Sequence, residues 1–280
     1  MARTRRFRWW WLLVPPAAFV FWLFALWPPP LWYRTHFPAE TAFMRMRRAE
    51  EPWLGGKAGR REGGRLYDPV TLDAIAPVMA LAAITGEDNN FLEHDGIDYA
   101  AIRKALGYRR REFDWDNQRD RADLRRALSR AWDRRAALRG ASTITQQLAK
   151  NLYLSSSRNP LRKVKEAVTA YRLERALGKR RILELYLNVA EMGDDIWGVE
   201  AASRQYFRKS AAKLSRSEAA ALAGLLPFPL RSNPSLKPGR MRWRQQLILR
   251  RMAGERLEIP KTEEETPEDT TAEATKGSGD

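Results

Sequence analysis

Apolar residues between positions 66 and 255 recur at helical spacing, and no stretch there shows sustained alternation of apolar and polar residues. Capping boxes, which satisfy the first amide groups of a helix, are predicted at 143–146 and 215–218. Pro160 suits the first turn of a further helix, and Gly178 is expected to end that helix. No internal repeat is recognisable. The pattern therefore predicts one mainly α domain.

Both ends of the chain differ in composition from this helical domain. Residues 9–31 are uncharged and mostly apolar, and roughly twenty such residues span the ~30 Å hydrocarbon layer of a membrane as a helix. We predict one transmembrane helix there, with a cleaved signal peptide as the alternative. Acids dominate the end of the chain, which lacks the apolar side chains that a fold needs. The predicted organisation is a basic stub (1–8), a transmembrane helix (9–31), a linker (32–65), the helical domain (66–255) and a disordered acidic tail (256–280).

Charge narrows the class of partner. The formal net charge is +16, which favours an anionic partner such as nucleic acid, an anionic membrane or a phosphorylated lipid. Arginines precede the apolar run and are sparse just after it, so the N-terminus is predicted to be cytoplasmic and the remainder extracytoplasmic, although arginines at 45–48 weigh against this. A membrane-anchored domain on the extracytoplasmic side seldom meets nucleic acid. The chain has no cysteine, which excludes thiolate metal sites and thiol nucleophiles.

One short stretch concentrates acids in this basic chain. The sequence GEDNNFLEHDGID, at 86–98, holds five carboxylates together with one of the two histidines. A carboxylate in such a setting is a candidate general base. Spacing alone does not single out one of the five.

Two later helices carry polar groups that share a face. On the first, Thr143, Gln147 and Lys150 fall at i, i+4 and i+7. On the next, Glu166 follows Arg162 by four residues. The ordinary interpretations are a solvated helix face and a surface ion pair. The functional interpretation is a wall of hydrogen-bonding groups beside a carboxylate that cations hold ionised.

Five stretches in a fixed order resemble the motifs of the peptidoglycan glycosyltransferases. These stretches are EDNNFLEHDGID, GASTITQQLAKNLYL, RKVKE, RILELYLN and GVEAASRQYF. The family comprises the monofunctional biosynthetic transglycosylases and the glycosyltransferase domain of class A penicillin-binding proteins. Because no stretch of transpeptidase length follows position 255, the chain is similar to the monofunctional type. The resemblance implies a lysozyme-like helical lobe beside a smaller membrane-proximal lobe, and polymerisation of lipid II into glycan strands.

The resemblance also implies roles for individual residues. Glu87 corresponds to the catalytic base, and Asp88, Phe91 and His94 complete its motif as substrate-binding positions. His94 is interpreted as a hydrogen-bonding support for the loop rather than a proton shuttle. Glu166 corresponds to a second essential carboxylate. The positions that match the donor pyrophosphate site are Thr143, Gln147, Lys150, Arg158 and Arg162.

The implied reaction explains why these residue types occur together. A carboxylate accepts the proton of the attacking sugar hydroxyl, and cations stabilise the departing pyrophosphate. A single inverting displacement suffices, because the donor linkage is α and the product linkage is β. No cofactor is required and no dedicated metal site is expected. A divalent cation bridging the pyrophosphate and carboxylates would nevertheless suit such hard oxygen ligands.

The expected partners are lipid II, the growing lipid-linked glycan strand, the membrane, and proteins of cell-wall synthesis or division, but not nucleic acid. The expected location is the inner membrane, as a single-pass protein with a cytoplasmic N-terminus and a periplasmic catalytic domain.

Two rival interpretations of the function stay open. A lytic transglycosylase also works around one glutamate but would not need the cations, because its leaving group is a sugar. An inactive membrane-anchored scaffold is the other rival.

Residues 107–139 form a longer connection than the family pattern leads us to expect. The segment holds eleven arginines against six acids, and a helix is predicted from Asn117 to about position 138. One interpretation is a solvated helix packed on its own lobe. The other is a basic amphipathic insertion at the membrane interface, beside the groove between Glu87 and Lys150.

Overall fold

The computed structural model describes residues 13–50, 64–105, 116–133, 142–154 and 160–254. Within these ranges the α-helices are α1 (Val14–Phe24), α2 (Ala42–Glu50), α3 (Pro77–Glu87), α4 (Tyr99–Ala105), α5 (Gln118–Asp133), α6 (Ile144–Tyr153), α7 (Pro160–Val189), α8 (Val199–Phe207), α9 (Arg216–Leu225) and α10 (Gly239–Met252). Short 3-10 helices lie at Pro30–Arg34, Leu72–Ala74 and Ala211–Lys213. The mainly α prediction is confirmed. The predicted basic stub, the acidic tail and much of the linker lie outside the described residues.

A small sheet closes the domain beside the helices. Its strands are β1 (Leu66–Tyr67), β2 (Glu191–Gly193) and β3 (Ile196–Trp197), in the order β1-β3-β2. β1 runs parallel to β3, with Leu66 opposite Ile196, whereas β2 runs antiparallel to it. The sheet therefore joins the start of the domain to the turn that follows α7.

The predicted helix boundaries are largely confirmed. Thr143 and Ser215 each cap a helix in a complete capping box, at the starts of α6 and α9. α7 begins at Pro160 as predicted, while the preceding Asn159 lies outside the described residues. Gly178 interrupts α7 with φ of 74° and ψ of 162°, a conformation that glycine adopts without steric cost.

The core forms around the second half of α7. Leu185, Leu187 and Tyr186 on this half are at most 1% exposed, and α3, α6 and α9 supply further fully buried side chains. α10 packs closely against α3, because Gly86 has no side chain. A Cβ built at Gly86 would lie 2.9 Å from Ile248 Cδ1. This close approach brings the polar residues of α10 near the end of α3.

The predicted transmembrane helix over 9–31 differs from the structure at its end. α1 stops at Phe24, and Ala25 is extended. The physical reason is the run 28–30 of three prolines, which lack amide donors and disfavour helical geometry in the residue before them. Among the described helices, none is both long and apolar enough to cross a membrane.

α1 lies along the first half of α7. Arg172 Nη1 donates a hydrogen bond to Phe24 O at 2.6 Å, and Lys165 Nζ lies 4.6 Å from the ring centroid of Trp22. Many apolar side chains of this N-terminal part are exposed, including Phe21 at 75% and Trp27 at 86%. The N-terminal part is thus attached to the domain yet presents apolar side chains outward.

The helix predicted in the arginine-rich segment exists. α5 begins at Gln118, and Asn117 Oδ1 accepts a hydrogen bond from Arg119 N at 2.9 Å, which confirms the predicted start. The described part ends at Asp133, so the predicted extension to about 138 lies outside the described residues. The start of the helix does not distinguish a solvated helix packed on its own lobe from an insertion at the membrane interface.

Candidate active site

Glu87 is the last residue of α3 and is held by side chains from two other helices. Gln147 Nε2 on α6 donates to Glu87 Oε2 at 3.0 Å, and Arg244 Nη2 on α10 donates to Glu87 Oε1 at 2.8 Å. The Tyr186 hydroxyl donates to Gln147 Oε1 at 3.1 Å, which fixes the orientation of the amide. Glu87, Gln147 and Arg244 are called the Glu87 centre below.

The surroundings of Glu87 suit a carboxylate that must accept a proton. Its side chain is 10% exposed, and burial raises its pKa above the ordinary value of 4.5. Arg244, the hydrogen bond from Gln147 and the charge of Lys150 oppose this rise. A carboxylate with a raised pKa is a stronger base toward a sugar hydroxyl.

Asp88 and His94 lie behind Glu87 rather than beside it. His94 Nε2 is 3.0 Å from Asp88 Oδ1, and His94 Nδ1 accepts from Gly96 N at 3.2 Å. These contacts assign a neutral imidazole with its proton on Nε2. Asp88 Oδ2 also accepts from Ile144 N at 2.9 Å, so it ties the start of α6 to the end of α3.

These side chains are largely enclosed by protein. The side chains of His94 and Asp88 are 8% and 3% exposed, and Phe91 is 1% exposed in the core. Their place among the substrate-binding residues stays a prediction. The contacts of His94 agree with the supporting role that was predicted for it.

Thr143 caps the helix that carries Gln147 and Lys150. It is 2% exposed, and its hydroxyl accepts from Gln146 N at 3.1 Å as the cap of α6 while donating to Gly96 O at 2.6 Å. The predicted capping box is confirmed. The place of Thr143 in the pyrophosphate site stays a prediction.

Lys150 lies within a cluster of charges on α6 and its neighbours. Glu166 and Glu191 act to raise its pKa, while burial, the largest influence, lowers it from the ordinary value of 10.5. Its Nζ lies 5.3 Å from the ring centroid of Phe43 on α2. A partly desolvated ammonium next to carboxylates is arranged to meet an anion at close range.

Glu166 sits on the first half of α7, held by two cations of its own helix. Arg162 Nη1 donates to Glu166 Oε2 at 2.9 Å, and Lys163 Nζ donates to Glu166 Oε1. The predicted pair of Arg162 and Glu166 is thus present, with a carboxylate that is 4% exposed rather than at the surface. Arg158 lies outside the described residues. Lys150, Arg162, Lys163 and Glu166 are called the Lys150 cluster below.

Two contacts of the site were not predicted. Arg47 on α2 donates to Glu191 through Nε at 2.8 Å and Nη2 at 2.9 Å, a bidentate pair in which Glu191 is 9% exposed. No local pattern marks this pair, because its members are 144 positions apart.

The role of Arg244 in the site could have been predicted from the sequence. Arg244 lies between Met241 and Ile248 on the buried stripe of α10, where an arginine needs a partner.

The two centres adjoin through α6. Gln147 contacts Glu87, and Lys150, three positions later on the same helix, interacts electrostatically with both Glu87 and Glu166. A buried carboxylate and a set of cations therefore lie next to each other on α6 and the helices that contact it. Within the described ranges, no group of three or more His, Asp or Glu side chains is arranged to hold a metal ion.

Comparison with known proteins agrees with this geometry. The transglycosylase family profile matches residues 110–253, a range that includes most of the arginine-rich segment and leaves Glu87 outside. A Bordetella pertussis protein named biosynthetic peptidoglycan transglycosylase is 40% identical over 239 residues, which cover 85% of this chain and 87% of that protein. An Escherichia coli O157:H7 protein of the same name is 46% identical over 185 residues, 66% and 67% of the two chains.

These matches identify the helical domain as that of a glycosyl-transferring enzyme. The chain belongs to the family of biosynthetic peptidoglycan transglycosylases. The family resemblance read from the five sequence motifs is confirmed.

Proposed function

We propose that this chain polymerises lipid II into β-1,4-linked glycan strands, with Glu87 as the general base. The acceptor's 4-hydroxyl attacks the anomeric carbon of the donor sugar and gives its proton to the Glu87 carboxylate. The bond from that carbon to the pyrophosphate breaks, and undecaprenyl pyrophosphate leaves with the bonding electrons. The observation that carries the proposal is the buried carboxylate of Glu87 next to Gln147 and the Lys150 cluster.

The donor end of the reaction is assigned to the Lys150 cluster. One negative charge develops on the leaving group as this bond breaks, and preorganised cations in a partly buried site stabilise such charge more than water does. Lys150 and Arg162 are the cations placed to do this, with Glu166 holding Arg162 in position. Arg158 is included on the family pattern alone.

The proposal requires no cofactor, since the cations of the protein supply the positive charge. A divalent cation held between the pyrophosphate and Glu166 would add to that charge, with the carboxylate and phosphate oxygens as ligands. Polymerisation in the presence of a chelator measures this contribution. An unchanged rate would exclude the bridging cation.

We further propose a single-pass inner-membrane location with a periplasmic, lysozyme-like catalytic domain, close to other proteins of cell-wall synthesis. Support comes from the uncharged run 9–33 and from the exposed apolar side chains of α1 and the residues after it. A membrane-held enzyme meets a polyprenyl-linked substrate at high effective concentration. Recovery of the full chain in the soluble fraction after carbonate extraction would overturn this location.

The test of function uses two substrates and one isosteric variant. Purified full-length chain is incubated with lipid II and, separately, with finished glycan, and the products are separated by length. Polymer from lipid II is expected, and degradation of finished glycan would instead favour a lytic enzyme. Glu87→Gln should lose polymerisation while still unfolding in one cooperative thermal transition, since the amide replaces the base at equal volume. Wild-type turnover by this variant would remove Glu87 from the role of base.

A further inference from the structure

Arg244 reaches Glu87 because α10 and α3 lie unusually close. Arg244 and Ile248 are one helical turn apart, and Ile248 packs against Gly86, the residue before Glu87. The same approach sets Arg244 Nη2 3.1 Å from Gly86 O and 2.8 Å from Glu87 Oε1. One guanidinium group thus caps the end of α3 and contacts its last side chain.

The position of Glu87 is unfavourable for a negative charge. The C-terminal end of a helix carries partial negative charge from its unpaired carbonyl groups, and Glu87 is the last residue of α3. Its side chain is also largely removed from water. A positive group at this end is needed if the carboxylate is to be ionised and ready to take a proton.

The charged, titratable and hydrogen-bonding groups around Glu87 come from the end of α3 and from three other helices. Asp88 follows it in sequence, Gln147 and Lys150 face it from α6, Tyr186 from α7 and Arg244 from α10. α9, which also packs against α3, presents buried alanine, leucine and glycine residues. Among the described residues, Arg244 is the cation that contacts the carboxylate directly.

One nitrogen of the guanidinium group is left without a partner. Arg244 Nε is buried and has no hydrogen-bond partner among the described residues. Leaving a buried donor unpaired is unfavourable. The orientation of the side chain is therefore set by the contacts of Nη2 with Gly86 O and Glu87 Oε1.

We propose that Arg244 is a positioning residue, which orients the Glu87 carboxylate through Oε1 and holds it in the ionised form that accepts the acceptor proton. This inference rests on the proposed role of Glu87 as base. Gln147 fixes the other oxygen, so the two donors from α6 and α10 set the plane of the carboxylate. Arg244 acts through Glu87 and needs no contact with the substrate.

The test is the pH dependence of kcat/KM for lipid II polymerisation by the full chain. Because Arg244 lowers the pKa of Glu87, its loss should raise that pKa and move the acid limb of the profile to higher pH. For Arg244→Met we expect a shift of about one pH unit, which is about tenfold in rate on the acid side. Arg244→Lys should return the limb toward its wild-type position, because the positive charge is restored.

Arg251 provides the matched control. It lies two turns further along α10 and donates to Thr85 O at 3.4 Å, close to the same end of α3 but without a contact to Glu87. Arg251→Met should leave the acid limb in place. If Arg244→Met does not fold, Arg244→Gln replaces it, since the amide keeps a polar side chain at this position while the charge is removed.

The outcomes separate this inference from the proposed function. An inactive Glu87→Gln together with an unmoved acid limb in Arg244→Met or Arg244→Gln overturns the role of Arg244 alone. An active Glu87→Gln overturns both. A limb that moves equally in Arg251→Met also overturns the inference, because the effect would then come from α10 packing rather than from the contact.

Discussion

Glu87 and Glu166 are both buried carboxylates with cationic partners, but the partners come from different distances along the chain. Glu166 is held by Arg162 and Lys163, four and three positions away on one helix. Glu87 is held by Gln147 and Arg244, 60 and 157 positions away on two other helices. The Lys150 cluster is therefore largely a local construction, whereas the Glu87 centre exists only when three helices have packed.

The chemistry explains the difference. Charge on a departing pyrophosphate is spread over several oxygens, so cations on one or two helices can stabilise it without a single exact geometry. Proton transfer to a carboxylate depends on the position and orientation of one group. Under the proposed function, the contacts that fix one geometry serve Glu87, and the cations of the Lys150 cluster serve the donor end.

The comparison between the Glu87 centre and the Lys150 cluster is tested by substitutions, and the largest effect on the rate is expected at Lys150. Lys150→Ala removes a preorganised cation, and loss of one such donor costs about 10²–10³-fold in kcat. The measurement is the single-turnover rate with lipid II. Lys213→Ala, which removes an exposed lysine, is the control. A Lys150→Ala rate within threefold of wild type would mean that Lys150 does not stabilise the leaving group and only forms part of the solvated face of the helix.

The next effect concerns the pair that joins α2 to the turn after α7. Arg47→Met and Glu191→Gln, alone and combined, form a double-mutant cycle for the free energy of unfolding. Because the hydrogen bonds are charged and largely buried, we expect a coupling of about 1–3 kcal/mol. Additive effects of the two changes would show that the pair contributes nothing as a unit.

A smaller effect is expected in the pH dependence of stability. The pKa of Glu87 is higher in the folded chain than its ordinary value of 4.5, so the folded state binds this proton more tightly than the unfolded state. The stability that this proton provides is fully present below the ordinary pKa and is lost as pH rises through the folded pKa. The Tm of Glu87→Gln minus that of wild type should therefore increase from pH 4 to pH 8.

Glu93→Gln, a change of an exposed carboxylate in the following loop, controls for the loss of one negative charge. A Tm difference for Glu87→Gln that stays constant, or that decreases with rising pH, would contradict the raised pKa. The same measurement tests whether the ionised Glu87 carboxylate lowers the stability of the fold at neutral pH.

The smallest effect is expected at Lys163. Its side chain is 52% exposed although its partner Glu166 is buried, and exposed ion pairs contribute ~0–1 kcal/mol. Lys163→Ala should therefore lower the free energy of unfolding by less than about 1 kcal/mol. Arg162→Ala, which removes a partner that is 21% exposed, should cost more. The reverse order would show that exposure does not rank the two cations.

Local patterns predicted much of this molecule. The capping boxes at 143–146 and 215–218 and the helix break at Gly178 follow from interactions within a few residues, and each is confirmed. The pair of Arg162 and Glu166 follows from helical spacing in the same way. Local patterns did not reveal burial or distant contacts, as for Thr143, which is 2% exposed and whose hydroxyl also donates to Gly96 O, 47 positions away.

The sequence by itself determined the helical class and the family, because motif order and helix periodicity are properties of neighbouring residues, and the family resemblance predicted Glu87 as the base. Tertiary structure alone decided what surrounds that carboxylate. Burial, the end of α3 and the reach of Arg244 arise only when α3, α6 and α10 pack together. The pKa of a buried group depends on its solvation and its nearest charges, and both are set by contacts between residues far apart in sequence.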